Sequence, residues 1–488
     1  MGREKGVLMG NDYRMGFHIM ARRGWVNDPN GLCQWRGTYH VYHQLRPSWP
    51  ADGECCWGHL TSDDLCHWEV HDVAIHADTP DDASGAYSGC AVIDGETMRL
   101  YYTGNVREPG DHDYITSGRQ ANQILVESPD GFAMGEKRVL LRNADYPDFC
   151  SCHVRDPYVW REDDSRGGYH MVLGARDLDS RGLALLYDSA DGYDWHLRQV
   201  VRSHETFGYM WECPNRIALP CAVGAVDDGT TSDGAVREFL AFCPQGLPSE
   251  ELRWHNRDQS GYVPLDGRML DVREVDERRF REFDHGFDFY APQVFVDERG
   301  RTLLMGWLGT FKPPYECAPG GIAFCHCLTV PRVLALDETG ERILQNPAPE
   351  LEALRLGELT RGADGSFACD RHRADVVLGG IDASGLEMTL DGGDLSVRVG
   401  DGIATVSFGD PADVGAGRTS RSFEVGVVRS LRALIDDSAV ELFFDGGRTC
   451  FATRWFPTAS HLTVRVDARG ACGVARAWAM GDGLAGTF

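Results

Sequence analysis

One short pattern returns three times in this chain: Ser62-Asp63-Asp64-Leu65-Cys66-His67-Trp68, Ser128-Pro129-Asp130-Gly131-Phe132 and Ser189-Ala190-Asp191-Gly192-Tyr193-Asp194-Trp195. Each copy reads Ser-x-Asp-(Gly/Asp)-apolar, which is turn chemistry. The spacing is roughly 60 residues, enough for four short strands and their loops. Strand-length apolar runs lie between the copies, at 38–45, 99–103, 169–174, 183–187, 238–242 and 301–307. They are rich in Tyr, Val, Leu and Phe and are bounded by Gly, Asp, Asn and Pro. No long stretch keeps a 3.6-residue period, so the class is all-β. About five such units fit before Pro331, and the repeat predicts a five-bladed β-propeller. In that architecture the inner strands of all blades share one axis, and residues distant in sequence meet there.

After Arg332 the texture changes. The stretch 339–345 is mostly polar, and Gln345-Asn346-Pro347-Ala348-Pro349 has linker character. A short helix is expected at 350–356. From about Leu359 onward, runs at 386–390, 395–399, 440–444 and 462–466 alternate with Asp391-Gly392-Gly393 and Asp445-Gly446-Gly447, which are hairpin signals. The expectation is a catalytic propeller over 1–340, a linker over 341–357 and a β-sandwich over 358–488. The second domain reads as structural, with Arg454-Trp455-Phe456-Pro457 packing against the first.

Charge narrows the partners. With 74 acidic against 48 basic residues the formal net charge is −26, which argues against nucleic acid or an anionic membrane. No run of about 20 apolar residues suggests a membrane span. The opening residues, Met1-Gly2-Arg3-Glu4-Lys5-Gly6, lead into no apolar segment, so a cytoplasmic location with reduced thiols is expected for the 16 cysteines. Cys55-Cys56, Cys150-x-Cys152 and Cys325-x-Cys327 lack zinc-site spacing, and His59, His67 and His153 follow no metal-ligand pattern. No cofactor and no metal are expected.

Three acids stand in related surroundings: Trp25-Val26-Asn27-Asp28-Pro29-Asn30-Gly31, Arg155-Asp156-Pro157 and Trp211-Glu212-Cys213-Pro214. Taken singly, the first is an ordinary Asx-type turn opening a strand and the second a surface ion pair. Together, on one propeller axis, they can flank a glycosidic bond, which needs one ionised carboxylate and one proton-bearing carboxyl. Asp28, among turn amides and beside Asn27, is expected to stay ionised. Glu212, between Trp211 and Pro214, has an apolar-aromatic setting that favours the neutral acid, whereas Asp156 follows a cation and reads as a permanent carboxylate.

With these motifs stand Trp57-Gly58-His59, Tyr87-Ser88-Gly89, Tyr102-Thr103-Gly104-Asn105, Asp288-Phe289-Tyr290-Ala291-Pro292-Gln293 and Leu328-Thr329-Val330-Pro331-Arg332. In this order, from about Phe17 to the C-terminus, the chain resembles glycoside hydrolase family 32, the invertase and β-fructofuranosidase family. The resemblance implies a propeller followed by a sandwich and hydrolysis of sucrose and short β-fructosides with retention, through a covalent fructosyl-enzyme. It implies Asp28 as nucleophile, Glu212 as general acid/base and Asp156 as transition-state stabiliser, with Asn27, Gln44, Trp57, Tyr87, Ser88 and Arg155 lining the fructose pocket. Trp57 would offer a flat face to the sugar. Departures from the family pattern are Val26, Leu45-Arg46-Pro47 and Asn215, the last two bearing on the leaving group. Unphosphorylated sucrose ranks ahead of sucrose 6-phosphate, for which Arg22, Arg23 and Arg46 are the candidate cations. Fructosyl transfer to a sugar, the inverting arabinofuranosidases and xylosidases of a related five-bladed fold, and a non-catalytic glycan-binding propeller are the alternatives.

Overall fold

The computed structural model describes residues 13–162, 168–221, 236–309, 324–382, 385–468 and 472–485. The opening hexapeptide lies outside them. Among the described residues every helix is a short 3₁₀ turn, and the rest of the regular structure is strand. No helix there is long and apolar enough to cross a membrane.

Five antiparallel sheets come first. The first contains Gly24–Trp35, Thr38–Arg46, Cys56–Ser62 and Glu69–Val70, with Phe324–Cys325 added parallel to Gly24–Trp35. The second contains Ala86–Asp94, Thr97–Arg107, Arg119–Ser128 and Arg138–Leu141. The third contains Cys150–Glu162, Gly168–Asp177, Gly182–Ser189 and His196–Ser203, with Glu274–Val275 at its edge. The fourth contains Met210–Pro220, Val236–Gln245, Gly261–Pro264 and Arg281–Glu282. The fifth contains Tyr290–Val296, Thr302–Leu308, Arg332–Leu336 and Ile343–Pro347. None closes on itself. The leading strands touch in sequence, first to second and on to the fifth, and the fifth touches the first again.

The repeated Ser-x-Asp pattern has one structural job. Each copy follows the third strand of its sheet, and its Asp caps the turn to the fourth. Asp64 Oδ1 accepts from the backbone amides of Cys66 and His67 at 3.0 and 2.8 Å. Asp130 Oδ1 does the same for Phe132 and Ala133, and Asp191 Oδ1 for Tyr193 and Asp194. The residue after the Asp takes positive φ, Leu65 at 64°, Gly131 at 81° and Gly192 at 82°, which is why Gly is preferred there.

Two six-stranded sheets follow, one from Arg355–Glu358 to Thr449–Arg454 and one from Ser366–Cys369 to Ser420–Glu424. They share a core that includes Val376, Met388, Val397, Leu442, Phe451 and Trp455. The stretch read as a linker is regular structure: Ile343–Pro347 is an outer strand of the fifth sheet, and Pro349–Leu354 is a 3₁₀ helix. Of that strand's polar residues only Asn346 is exposed, whereas Gln345 is buried and donates to the Phe283 carbonyl at 2.6 Å. The motif 454–457 is split between the two parts. Trp455 belongs to the later core, while the Arg454 backbone amide donates to Asp288 at 2.8 Å.

The two groups of sheets meet through a buried network of charges. Asp436 accepts from the backbone amides of Gly16, Phe17 and His18 and from His18 Nδ1, at 2.6–2.8 Å. His18 Nε2 donates to Glu441, which also takes the Arg332 guanidinium; Arg332 reaches on to Asp284 at 2.9 Å. Burial alone would lower the His18 pKa, but hydrogen bonds and charge from Asp436 and Glu441 outweigh it and lift it to about 9. A group whose pKa is raised on folding stabilises the fold fully below its unfolded pKa of about 6.5, and that stabilisation is lost as pH climbs through the folded value. Stability should therefore fall between pH 6.5 and 9, His18 contributing on the order of 3 kcal/mol. Urea unfolding of the wild type and of His18→Gln across this range checks it: the variant should show the shallower slope.

Candidate active site

The leading strands share one irregularity. Register slips between Val26 and Pro29 in the first sheet, Ala86 and Gly89 in the second, Arg155 and Tyr158 in the third, Glu212 and Asn215 in the fourth, and Tyr290 and Gln293 in the fifth. Each slip is a β-bulge, which re-aims a side chain. Four hold a proline, at positions 29, 157, 214 and 292, and proline has no N–H to offer the ladder. The remaining one, in the second sheet, ends at Gly89, where a Cβ would lie 1.9 Å from the Tyr101 carbonyl oxygen. The stretch Asn27-Asp28-Pro29, expected as a turn opening a strand, is thus a bulge inside one. Asp156, Cys213 and Ala291 take positive φ at 64°, 45° and 44°. The five bulges converge on a void of about 10 Å³, lined by Pro29, Ser88, Asp156, Cys213, Pro292 and their neighbours.

A ring of hydrogen bonds from side chain to backbone locks these strands together. Gly89 N–H donates to Asn30 at 3.2 Å, Asp156 N–H to Thr103 Oγ1 at 3.0 Å, and Cys213 N–H to Asp156 at 2.9 Å. Asn215 Nδ2 donates to the Pro292 carbonyl at 3.2 Å, and Leu32 N–H to Gln293 Oε1 at 2.9 Å. The ring runs through all five sheets. Gln293 Nε2 adds a bond to the Gly89 carbonyl at 2.6 Å. Asn215 also donates to the Cys213 carbonyl, which an Asp at this position could not do when ionised.

Within the ring the three acids meet, all buried. Asp28 accepts from Asn27 Nδ2 at 3.1 Å and closely from the Ser88 hydroxyl. Gln44 ties these donors together, accepting from Asn27 at 2.5 Å and donating to Ser88 at 2.9 Å. The Cys213 thiol stands 3.7 Å from both Asp28 Oδ2 and Asp156 Oδ2. Glu212 accepts from Arg155 through Nε and Nη2 at 3.1 and 2.5 Å, from Gln245 at 2.8 Å and from the Tyr290 hydroxyl at 2.6 Å.

Three expectations change. Arg155 hydrogen-bonds to Glu212 and stands 3.9 Å from Asp156, an ion pair without a hydrogen bond. The adjacent cation does not make Asp156 a permanent carboxylate. Burial lifts it to about 7, Arg155 and the Cys213 N–H opposing and Glu212 and Asp28 reinforcing the rise. Asp28 is also raised by burial, against the hydrogen bonds of Ser88 and Asn27. Glu212 lacks the apolar setting expected of it, since Trp211 points the other way, into the fourth-sheet core beside Phe242 at 4.2 Å. Trp57 likewise has no exposed face. Its indole N–H holds the Tyr87 carbonyl at 2.9 Å, so it positions the Tyr87-Ser88 bulge.

Sequence reading passed over Gln245 and gave no role to Tyr290 or Gln293. Tyr290 and Gln293 were visible in the 288–293 motif, and Gln245 lies two residues beyond Cys243, the partner of Glu212. His153, read as purely structural, accepts from Arg155 Nη1 at 2.8 Å. As for metals, Asp64, Cys66 and His67 have ligand atoms within 4.8 Å of one another, but Asp64 is the turn cap described above. A larger cleft of about 580 Å³, between Trp35, Trp68, His71 and Phe132, contains none of the three acids.

Comparison with known proteins follows this geometry. The family model for the glycosyl hydrolases family 32 N-terminal domain matches residues 18–347, and that for the family 32 C-terminal domain matches 404–477. The chain belongs to glycoside hydrolase family 32. A sucrose-6-phosphate hydrolase of Bacillus subtilis (strain 168) is 31% identical over 95% of this family 32 chain and 93% of its own. A raffinose invertase of Escherichia coli is 32% identical over 92% and 91%. Among solved structures, a sucrose-6-phosphate hydrolase from Lactobacillus gasseri superposes with a TM-score of 0.82 at 25% identity, over 97% and 94% of the two chains. A Bombyx mori family 32 β-fructofuranosidase gives 0.79 at 27%, over 97% and 95%.

The ring makes Gln293 a test of how this site is held. Gln293→Leu leaves the Leu32 N–H and the Gly89 carbonyl buried without that partner. The loss should be about 2–6 kcal/mol, from two groups at ~1–3 each. Denaturant unfolding should show it, and glycosidase activity should fall further than the change in folded fraction accounts for.

Proposed function

We propose that this family 32 enzyme hydrolyses sucrose and short β-fructosides, phosphorylated forms included, through a covalent fructosyl intermediate. The observation that carries the reading is the meeting of Asp28, Asp156 and Glu212 at three bulges, with a single guanidinium, Arg155, hydrogen-bonded to Glu212. The five sheets are then the blades of a propeller, supported by the contacts of their leading strands. The boundary to the sandwich falls after Pro347, where the fifth sheet ends. Its free thiols suit a cytoplasmic enzyme.

In this reading Asp28 attacks the anomeric carbon of the fructosyl unit. Glu212 gives its proton to the departing glycosidic oxygen, then takes one from the water that releases fructose. Asn27 and Ser88 hold the attacking carboxylate, and Gln44 holds both of them. Asp156 accepts from fructose hydroxyls. The cluster also explains where the working proton resides: three buried carboxyls facing one guanidinium favour retaining a proton among them, and burial raises both Asp156 and Asp28. Sugar hydroxyls donating to Asp156 favour its carboxylate.

Asp28→Asn should remove nearly all fructose release while leaving the unfolding curve unchanged. Glu212→Ala should impair sucrose at least 100-fold more than an aryl fructoside whose leaving group needs no protonation. Steady-state kinetics on both substrates decides: equal losses in Glu212→Ala would count against the acid/base role.

The wild-type kcat/KM should decline on the alkaline side with an apparent pKa near 7, a property of the carboxyl cluster rather than of one residue. A profile flat from pH 6 to 9 would contradict the shared proton. Asp156→Asn should displace this limb as well as lowering the rate.

A further inference from the structure

Arg107 ends the strand Thr97–Arg107, Arg119 opens Arg119–Ser128, and the two residues are directly opposed across the ladder. Like charges facing each other on neighbouring strands are destabilising unless something between them compensates. Among the described residues no carboxylate oxygen lies within 4 Å of either guanidinium, nor of Arg176 on the adjoining third sheet. Glu108 is engaged by Gln120 at 2.8 Å. Asp113 caps the amides of Ile115, Thr116 and Ser117.

Aromatic rings hold two of these cations. Arg107 lies over Tyr114 at 5.6 Å and Arg176 over Tyr209 at 4.9 Å, with Arg176 Nη2 donating to Ser180 at 2.8 Å. Arg119 is half-buried, and its Nε is buried with no hydrogen-bond partner. His153 connects the group to the acids, accepting from Arg155 Nη1 and donating from Nε2 to the Tyr114 carbonyl at 2.9 Å. Burial, then Arg155 and Arg119, hold its pKa down at about 3, so it adds no charge. The cations are reached from Glu212 through Arg155, and none of the three hydrogen-bonds to Asn27, Asp28 or Gln44. In the reading proposed above, Glu212 faces the departing oxygen, so this rim adjoins the leaving group. Planar guanidiniums match phosphate oxygens in pairs.

We propose that Arg119, with Arg107 and Arg176, forms a subsite for a phosphomonoester on the leaving-group sugar. The proposal rests on the fructosidase reading for its orientation. The net charge of −26 does not preclude it, because charges beyond about 8 Å are screened at physiological salt. Arg46, one of the three candidate cations of the sequence, stands on the first sheet opposite Trp25 and is exposed.

The test is the ratio of kcat/KM for sucrose 6-phosphate to that for sucrose, measured for wild type, Arg119→Gln, Arg107→Gln and Arg46→Ala. The wild-type ratio should exceed ten and shrink with added salt, and Arg119→Gln should lower it at least tenfold. A wild-type ratio near one, equal losses on both substrates in Arg119→Gln, or a ratio that collapses only in Arg46→Ala would overturn the assignment. A second readout needs no turnover. Calorimetry on the intact protein should show glucose 6-phosphate binding more tightly than glucose, and Arg119→Gln should abolish the difference. If no fructoside is hydrolysed, the fructosidase reading fails; this binding difference then decides the anion site alone, and its absence in the wild type overturns the proposal.

Discussion

The structure depends on a set of hydrogen bonds that regular sheets would not need. A bulge takes backbone groups out of the ladder, and a proline in it removes a donor altogether. Buried backbone groups so displaced must find other partners. Here they find them in the neighbouring sheet: Asn30, Thr103, Asp156, Asn215 and Gln293 each satisfy a backbone group one sheet away. The irregularity that points the acids inward therefore also joins the five sheets. Asp156 does both at once, accepting the Cys213 amide while standing among the three acids. Close packing reinforces the joint, since a Cβ on Gly174 of the third sheet would lie 1.9 Å from the Trp211 carbonyl oxygen of the fourth.

Two buried charge networks show how differently such groups can be employed. Between the two groups of sheets, His18 and Arg332 alternate with Asp436, Glu441 and Asp284, and each acid also takes backbone amides. Every charge there has an opposite charge in contact, so desolvation is met by specific partners. At the acids of the site the balance is withheld. Arg155 is shared unequally, and Asp28 and Asp156 are both raised by burial. Unbalanced carboxyls cost stability, and they are also what proton transfer requires.

Much of this was legible in the chain because turns and strands are local. The Ser-x-Asp repeat marks the same capped turn in three sheets, and the expected runs fall in strands, 99–103 inside Thr97–Arg107 for example. The three acids could be picked out because each stands beside a proline-bearing bulge, or next but one to its proline. Side-chain partners were not legible, since they depend on which face a bulge presents. Arg155 lies 3.9 Å from Asp156 but hydrogen-bonds to Glu212, and Trp211 turns away from its neighbour Glu212 into the core. Trp57 was assigned to the sugar by chemistry suited to either role; only its depth shows that it supports Tyr87. The edge strand Ile343–Pro347 resembled a linker because of Gln345, Asn346 and Pro347, of which only Asn346 is exposed.

The distribution of charge around the acids has a direction. From Asp28 the polar contacts run through Asn27, Gln44 and Ser88, all neutral. From Glu212 they run through Arg155 to a neutral His153, with Arg119, Arg107 and Arg176 beyond it. In the proposed reading, the fructosyl side of the bond to be cut meets neutral donors, and the leaving-group side meets a cluster of guanidiniums. A neutral fructosyl unit loses nothing by sitting among amides and hydroxyls. On that reading a leaving sugar carrying phosphate would be drawn toward the cations, which would set its orientation before Glu212 gives up a proton. His153, held neutral by burial and then by Arg155 and Arg119, stands between Arg155 and the outer arginines without adding charge.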